Sequence, residues 1–202
     1  MFLIAFNFFT IFELITDIYV IDKNVMSKPS KCITLDDDQI LPEVIRSYLR
    51  LWPEGFKVSK LRSSIDLSHC PNLTDVSMLG RLIKLDLSHT DVSDVSMLGS
   101  IKILRLSSCK NLIDVRFLGG VEQLDLSHTN VSDVSALGHV KKLNLEDCVN
   151  VEDVYSLRYV EDLNLNYCPK IRDVSSLGSV KILSLYGCRN IKDFSAVPQA
   201  RH

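Results

Sequence analysis

The chain of 202 residues has no excess of charge of either sign: 23 lysines and arginines oppose 25 aspartates and glutamates, for a formal net charge of -2. Nucleic-acid-binding domains carry a basic face that neutralises phosphates, so we expect no nucleic acid as a partner. The sequence also lacks a nucleophile elbow, a phosphate-binding loop, paired catalytic carboxylates and a C-x-x-C motif. We therefore predict that the protein is not an enzyme and has no cofactor, no metal and no small-molecule substrate.

Basic residues are also missing from residues 1 to 22, which are strongly apolar and aromatic. No lysine or arginine precedes this run, so it lacks the basic region of a secretory signal. Glu13 and Asp17 interrupt it, and a charged residue at the centre of a membrane helix costs about 2.5–3.5 kcal/mol. Three hypotheses stay open for this segment: a targeting or anchoring sequence, a packed helix, and an over-extended start that precedes Met26. We expect a cytoplasmic protein, and the alternative is a membrane-anchored or secreted one, with membrane association only through residues 1 to 22.

A pattern of 19 or 20 residues fills the chain from about Ser64 to the C-terminus. Each copy contains two leucines, or an isoleucine and a leucine, that flank one residue. The second leucines are Leu67, Leu87, Leu106, Leu126, Leu145, Leu165 and Leu185. Alternate side chains of a strand face the same way, so both members of each pair point inward. Seven copies at a fixed period predict a solenoid whose repeats bury a continuous core only when stacked.

The consensus V-x-x-L-x-L-S-x-(C/T)-x-(N)-(V/I/L)-x-D-V-S-x-L-G resembles the leucine-rich repeat. This resemblance implies an α/β solenoid with a curved parallel β-sheet, short turns or 3-10 segments on the convex side, and an N-terminal helical cap. The cysteine column resembles the cysteine-containing subclass, and D-V-S-x-L resembles internalin-like repeats. We divide the chain into an apolar segment (1–25), a helical cap (26–60) and a repeat domain (61–202).

Residues 36 to 52 have the spacing of an amphipathic helix. One face would carry Leu41, Val44, Ile45, Tyr48, Leu49 and Trp52. The helix should begin at about Leu41, because Pro42 is tolerated only in the first turn. Its simplest role is to cover the first strand of the solenoid, which otherwise exposes a sheet edge.

An alternative role for this helix comes from Leu41-Pro42-Glu43, which resembles the opening of an F-box. That resemblance implies a substrate receptor of a ubiquitin ligase, with an Skp1-type adaptor bound through Leu41, Val44 and Tyr48. Only about twenty residues separate Leu41 from the first repeat. The later helices of an F-box therefore have no room in this chain.

Five of the six cysteines share one column of the repeat, three positions after the second leucine. They are Cys70, Cys109, Cys148, Cys168 and Cys188. Because a disulfide framework would not place one cysteine per repeat, we predict a ladder of buried free thiols, which favours a reducing compartment. Adjacent repeats at roughly 5 Å leave a bridged pair as the alternative. Thr90 and Thr129 hold this column in two shorter repeats, and we expect them to hydrogen-bond the turn backbone.

Two further columns predict turn structure. The aspartates Asp75, Asp94, Asp114, Asp133, Asp153, Asp173 and Asp193 each precede a V-S-x-L type segment. Calcium would need several carboxylates per loop, so we expect these side chains to cap backbone N–H groups instead. The glycines Gly80, Gly99, Gly119, Gly138 and Gly178 end the same turns, as expected of helix C-caps.

The outward positions of the strands form the expected binding surface. The predicted partner-binding residues are Asp86, Arg105, Asp125, Asn144, Asn164, Asn166, Tyr167 and Tyr186. Stacked Asp66 and Asp86 suggest a basic partner, while the C-terminal half offers tyrosine and asparagine, which suit protein interfaces. The function expected is a non-catalytic module that binds a protein partner on its concave face.

Two other interpretations of this surface stay open. One is an ordinary solvated sheet. The other is a secreted or membrane-tethered surface protein, which would carry glycans at Asn72 or Asn130 and oxidised cysteines.

Overall fold

The computed structural model describes residues 64–70, 73–80 and 82–201. The apolar segment 1–25, the helix expected over 36–52 and its Skp1-type contacts lie outside these residues. Within the described ranges, no helical segment is long and apolar enough to cross a membrane.

Seven short strands form a single parallel sheet whose spatial order follows the chain. Each strand spans three residues: β1 Ser64–Asp66, β2 Lys84–Asp86, β3 Ile103–Arg105, β4 Gln123–Asp125, β5 Lys142–Asn144, β6 Asp162–Asn164 and β7 Ile182–Ser184. The register pairs equivalent repeat positions throughout, so Leu85 aligns with Leu104 and Leu104 with Leu124. The leucine period therefore predicted both the strands and their pairing.

One continuous apolar core runs along the inner side of the sheet. In the second repeat, for example, Leu85 and Leu87 are both completely buried. The chain then turns to the opposite layer, where short 3-10 segments span Ser77–Leu79, Leu118–Gly120, Ser135–Leu137, Tyr155–Tyr159 and Ser175–Ser179. Sheet and 3-10 segments enclose the core as the predicted solenoid requires, and this confirms the fold class.

The cysteine column confirms the prediction of buried free thiols for four of its members. Cys109, Cys148, Cys168 and Cys188 are buried, whereas Cys70 is half-buried, and all five are free. Each buried sulfur donates to the carbonyl of the second leucine in the preceding repeat, as in the 3.1 Å contact from Cys148 Sγ to Leu126 O. The thiols therefore join neighbouring repeats as well as fill space.

The threonines of this column close shorter turns. Thr90 Oγ1 donates to Leu87 O at 2.7 Å, and Thr129 Oγ1 donates to Leu126 O at 2.6 Å, which confirms the expected role. In most cysteine repeats the backbone N–H of the cysteine donates to the carbonyl of the second leucine instead, as from Cys109 N to Leu106 O. The cysteine carbonyl then accepts the backbone N–H of the residue three positions later. This second turn accommodates the one residue by which the cysteine repeats are longer than the threonine repeats at this point.

The aspartate column also has its expected structure. In all seven repeats the carboxylate accepts the backbone N–H two residues later, as in the 2.9 Å contact from Ser96 N to Asp94 Oδ1. The backbone N–H lowers the pKa of Asp94, Asp173 and Asp193. The Arg116 side chain lowers the pKa of Asp114, and the Ser135 hydroxyl lowers that of Asp133.

The glycine column has a different physical basis from the one expected. Gly80 and Gly138 do follow 3-10 segments, but they have ordinary right-handed backbone, with φ of -62° and -61°. A side chain is excluded by the next repeat: a Cβ on Gly138 would lie 2.5 Å from Ser156 O. Close stacking of the repeats, rather than a left-handed cap, requires glycine here.

Residues beyond β7 continue the hydrogen bonding of the sheet. Arg201 N donates to Leu183 O at 2.9 Å, and Arg201 O accepts from Leu185 N at 2.7 Å. Gln199 Nε2 donates to carbonyls of the preceding turn, including Val180 O at 3.0 Å. Arg201 thus takes the place that an eighth strand would occupy.

Candidate functional site

The candidate site is the sheet face, defined here as the outward side chains of the strands and of the two residues after the second leucine. Burial alternates along β2 to β7: in β2, Leu85 is inward while Lys84 and Asp86 are outward. The eight predicted partner-binding residues all lie on this face. Their contacts divide them into the residues at the strand ends and the residues after the second leucine in the last two repeats.

Acidic and amide side chains at the ends of the strands have a structural role. Asp86 Oδ1 accepts the backbone N–H of Ser88 at 3.0 Å, and Asp125 Oδ1 accepts that of Ser127 at 3.0 Å. Asn144 and Asn164 accept the equivalent N–H groups through Oδ1. Stabilisation of the backbone accounts for these residue types whether or not a partner binds.

These caps support an uncommon backbone conformation. The second residue after the second leucine has positive φ in all seven repeats: His69, His89, Ser108, His128, Asp147, Tyr167 and Gly187, with φ between 55° and 76°. This left-handed region favours glycine, yet only one of the seven is glycine. The chain therefore turns away from the sheet at the same point in each repeat, and these side chains form a row along the rim of the sheet face.

Arg105 interrupts the acidic strand-end column. Its Nη1 lies 3.4 Å from Asp86 Oδ2, and the register places it between Asp86 and Asp125. The Asp86 side chain is only 16% exposed, whereas that of Arg105 is 49% exposed. Arg105 thus offsets the stacked negative charge and itself remains open to solvent.

Amides connect the sheet face across the fifth to seventh repeats. Asn164 Nδ2 donates to Glu146 Oε2 at 3.0 Å. Asn166 Oδ1 accepts both Ser184 Oγ, at 2.7 Å, and the backbone N–H of Tyr186, at 2.8 Å. These bonds leave Asn164 and Asn166 half-buried and fixed in orientation.

Two tyrosines stand on this amide network. Tyr167 and Tyr186 pack edge to face with ring centroids 5.5 Å apart, and they are 47% and 58% exposed. Gly187 makes room for the first ring, because a Cβ there would lie 2.5 Å from a carbon of Tyr167. Neither phenol hydroxyl has a hydrogen-bond partner in the part of the chain that the structure describes. The pair is a rigid aromatic surface with two donors directed at solvent.

Ile182 is an exposed apolar residue of the sheet face that was missed by the sequence analysis. It opens β7, faces outward and is 53% exposed. Lys142 and Asp162 occupy the same position in the two preceding strands, where polar residues are expected. The signal in the sequence was the isoleucine two positions before Ser184, at an outward position.

Histidines on the rim make paired contacts. The His69 and His89 rings stack with centroids 4.3 Å apart, and His128 Nδ1 lies 3.0 Å from Asp147 Oδ2. Among the described residues, no three histidine, cysteine, aspartate or glutamate side chains are grouped closely enough to hold a metal ion.

No protein-family model matches this chain, and no curated protein sequence matches it. Its structure is similar to an internalin (inlF) from Listeria monocytogenes, with 22% sequence identity and a TM-score of 0.56. That similarity covers 81% of this chain and 54% of the internalin. An internalin C2 (inlC2) from the same organism shares 24% identity at a TM-score of 0.52, over 63% of this chain and 64% of its own length. The chain thus spans less than two thirds of either protein, and the likeness establishes the leucine-rich-repeat fold.

Proposed function

We propose that this chain, which has the leucine-rich-repeat fold, is a non-catalytic module that binds a protein partner on its sheet face. The observation that carries the proposal is the exposed pair Tyr167 and Tyr186. Large exposed aromatic rings that are already ordered lose little entropy on binding, and tyrosine is enriched among interface residues that dominate affinity. Ile182 adds exposed apolar area at the start of β7.

The contacts on the sheet face suggest which role each residue would have in binding a partner. Tyr167 and Tyr186 would form the buried centre of the interface, and Ile182 and Arg105 would contribute an apolar and a charged contact nearer its edge. Asp86, Asp125, Asn144 and Asn164 already cap the backbone through Oδ1, so their second oxygen or amide group is what a partner would meet. Asn166 would contribute mainly by holding Tyr186 in place.

Site-specific photocrosslinking in native cells tests this proposal. A photoreactive phenylalanine analogue would replace Tyr186 in one variant and Phe117 in a matched control, since Phe117 is 51% exposed but lies next to a 3-10 segment on the opposite layer. We expect a discrete protein adduct at position 186 and none at 117. An adduct at 117 alone would place the interface elsewhere.

The captured partner then allows a direct affinity measurement. Tyr167→Ala with Tyr186→Ala should weaken binding at least about tenfold, because residues of this kind contribute about 2 kcal/mol or more each when truncated. Ser107→Ala, a half-buried position of the same face in the third repeat, should leave the affinity unchanged. Unaltered affinity in the double tyrosine variant would refute the proposed surface.

We further propose that the protein works in the cytoplasm. Free thiols in the cysteine column support this location, since oxidising compartments favour disulfides. Asn130 Nδ2 donates to Lys110 O at 2.7 Å, and a glycan on that nitrogen would interfere with this contact between repeats. The intact mass of protein from native cells should show six free thiols and no glycan; an oxidised or glycosylated mass would indicate the secreted alternative.

A further inference from the structure

The segment Tyr155–Tyr159 departs from the repeat pattern on the layer opposite the sheet. Tyr155, Arg158 and Tyr159 all project from one 3-10 segment. The same positions in the flanking repeats carry Ser135, Gly138, His139, Ser175, Gly178 and Ser179. Glycine at the middle position admits a carbonyl of the next repeat, as it does at Gly138. The stacking of the repeats therefore does not explain why this segment carries an arginine between two tyrosines.

The arginine is held between the two rings. Arg158 Cζ lies 4.4 Å from the ring centroid of Tyr155 and 4.7 Å from that of Tyr159. Its Nη1 also donates to Tyr155 O at 3.5 Å. These contacts fix the guanidinium and leave Arg158 half-buried, while Tyr155 and Tyr159 remain 63% and 64% exposed. A cation already stripped of part of its water interacts more strongly with an incoming anion.

Some basic side chains of the described residues pair with a carboxylate, whereas Arg158 does not. Arg116, two repeats earlier, contacts Asp114 at 2.8 Å, and Lys181 contacts Glu161 at 3.0 Å. No carboxylate of the described residues lies within ion-pair distance of the Arg158 guanidinium. Asp153, the nearest member of the aspartate column, instead caps the backbone N–H of Tyr155 at 2.9 Å.

We infer that Tyr155, Arg158 and Tyr159 form a second binding site, separate from the sheet face, for a carboxylate-bearing peptide segment of a partner protein. The planar guanidinium offers paired N–H donors that match a carboxylate. The two exposed rings provide apolar area for a neighbouring side chain of the same peptide. Tyrosine and arginine are also the residue types most enriched among residues that dominate interface affinity.

Titration of the full chain with two short peptides tests the inference. One peptide alternates leucine and glutamate between glycines, and the other replaces each glutamate with glutamine. Nitrogen-15 spectra report the Nε–Hε signal of Arg158, which is assigned by its loss in Arg158→Lys. We expect the glutamate peptide to shift this signal and to bind at least about tenfold more tightly than the glutamine peptide, as for one charge-assisted contact.

Matched variants distinguish binding at this site from non-specific electrostatic attraction between the peptide and the protein. Arg158→Gln should weaken the glutamate peptide at least about tenfold, while Arg172→Gln, an exposed arginine without a ring contact, should not. Tyr155→Ala with Tyr159→Ala should also weaken binding although the charge remains. Equal binding of the two peptides, or equal losses in Arg158→Gln and Arg172→Gln, would overturn the inference, as would the absence of any shift at millimolar peptide.

Discussion

Six residues other than glycine hold left-handed backbone at the end of the strands. Such a conformation costs about 1–2 kcal/mol per residue. Two hydrogen bonds offset it in most repeats: the residue itself donates to the next repeat, as from His89 N to Ser107 O at 2.8 Å, and the preceding aspartate or asparagine caps an adjacent N–H. Because main-chain contacts fix the conformation, histidine, serine, aspartate and tyrosine all occupy it.

The requirement for glycine in the 3-10 layer can be tested by replacing one glycine with alanine, which adds one methyl group. Gly138→Ala would bring a Cβ to 2.5 Å from Ser156 O, so the fourth and fifth repeats must separate. Overpacking of this kind costs about 1–3 kcal/mol, and urea unfolding should show that loss. Ser179→Ala, on the same layer but exposed, should be close to neutral. An unchanged midpoint for Gly138→Ala would mean that close stacking is not what requires glycine.

Thiol chemistry provides a second test at single residues. Burial raises the pKa of Cys109, Cys148, Cys168 and Cys188, so little thiolate is present at neutral pH. We expect iodoacetamide to alkylate half-buried Cys70 first in the native protein and these four only after unfolding. Peptide mapping after timed labelling checks the order. Labelling of Cys148 as fast as Cys70 would contradict the ladder.

The same pKa shifts of the buried thiols determine whether the stability of the fold rises or falls with pH. The unfolded chain releases thiol protons near the ordinary pKa, while the folded chain retains them to higher pH. Stability should therefore fall as pH rises above the ordinary thiol range.

At the scale of the element, each repeat is a strand, a turn and a 3-10 or extended segment. The leucine period predicted the strands because inward leucines recur with the spacing of the sheet, and the aspartate column predicted the caps. Left-handed residues such as Tyr167 could not be predicted, because their conformation depends on bonds to the next repeat rather than on residue type. Arg158 stood out only as a break in the glycine column, since its contacts with two rings depend on how the 3-10 segment folds.

The aspartate caps should make the turns sensitive to acid. The pKa values of Asp94, Asp133 and Asp173 are lowered in the folded state, so these groups stabilise it above the ordinary carboxylate pKa. That contribution is lost as the pH falls through the lowered pKa values. Replacing all three with asparagine keeps an acceptor oxygen but removes the titration. Melting temperatures measured from pH 7 to pH 3 should fall less steeply in the triple variant.

A control for this experiment uses a carboxylate outside the column. Glu152→Gln removes one exposed carboxylate that makes no ion pair among the described residues, and it should leave the acid slope close to that of the parent. Parallel slopes for the parent and the triple aspartate variant would show that the caps do not titrate with folding.

At the scale of the whole molecule, the sheet pairs only neighbouring repeats, so stability should be nearly a sum over repeats and their interfaces. Deletion of residues 146–165 removes 20 residues, one full period, and joins Leu145 to Asn166 in the same register. We expect a folded six-strand array, with a urea m-value lower by roughly one seventh of the repeat domain's contribution. Urea titration followed by far-ultraviolet circular dichroism checks both expectations.

An out-of-register deletion is the control. Removing residues 146–155 takes out half a period, so inward and outward positions no longer match across the junction. This variant should lose cooperative unfolding. If it unfolded as cooperatively as the full-period deletion, the repeats would not be the folding units.

The row of left-handed positions along the rim has a consequence for how such a protein can change. Five residue types, His, Ser, Asp, Tyr and Gly, occupy seven adjacent sites without altering the backbone that carries them. The backbone therefore places little restriction on residue type along the rim, whose sites have a pitch of about 4.8 Å set by the strands. Side-chain contacts couple adjacent sites instead, as in the His69–His89 stack and the close approach of Tyr167 to Gly187. The rim is a linear array in which recognition can evolve, or be engineered, by changes at neighbouring positions while the scaffold stays constant.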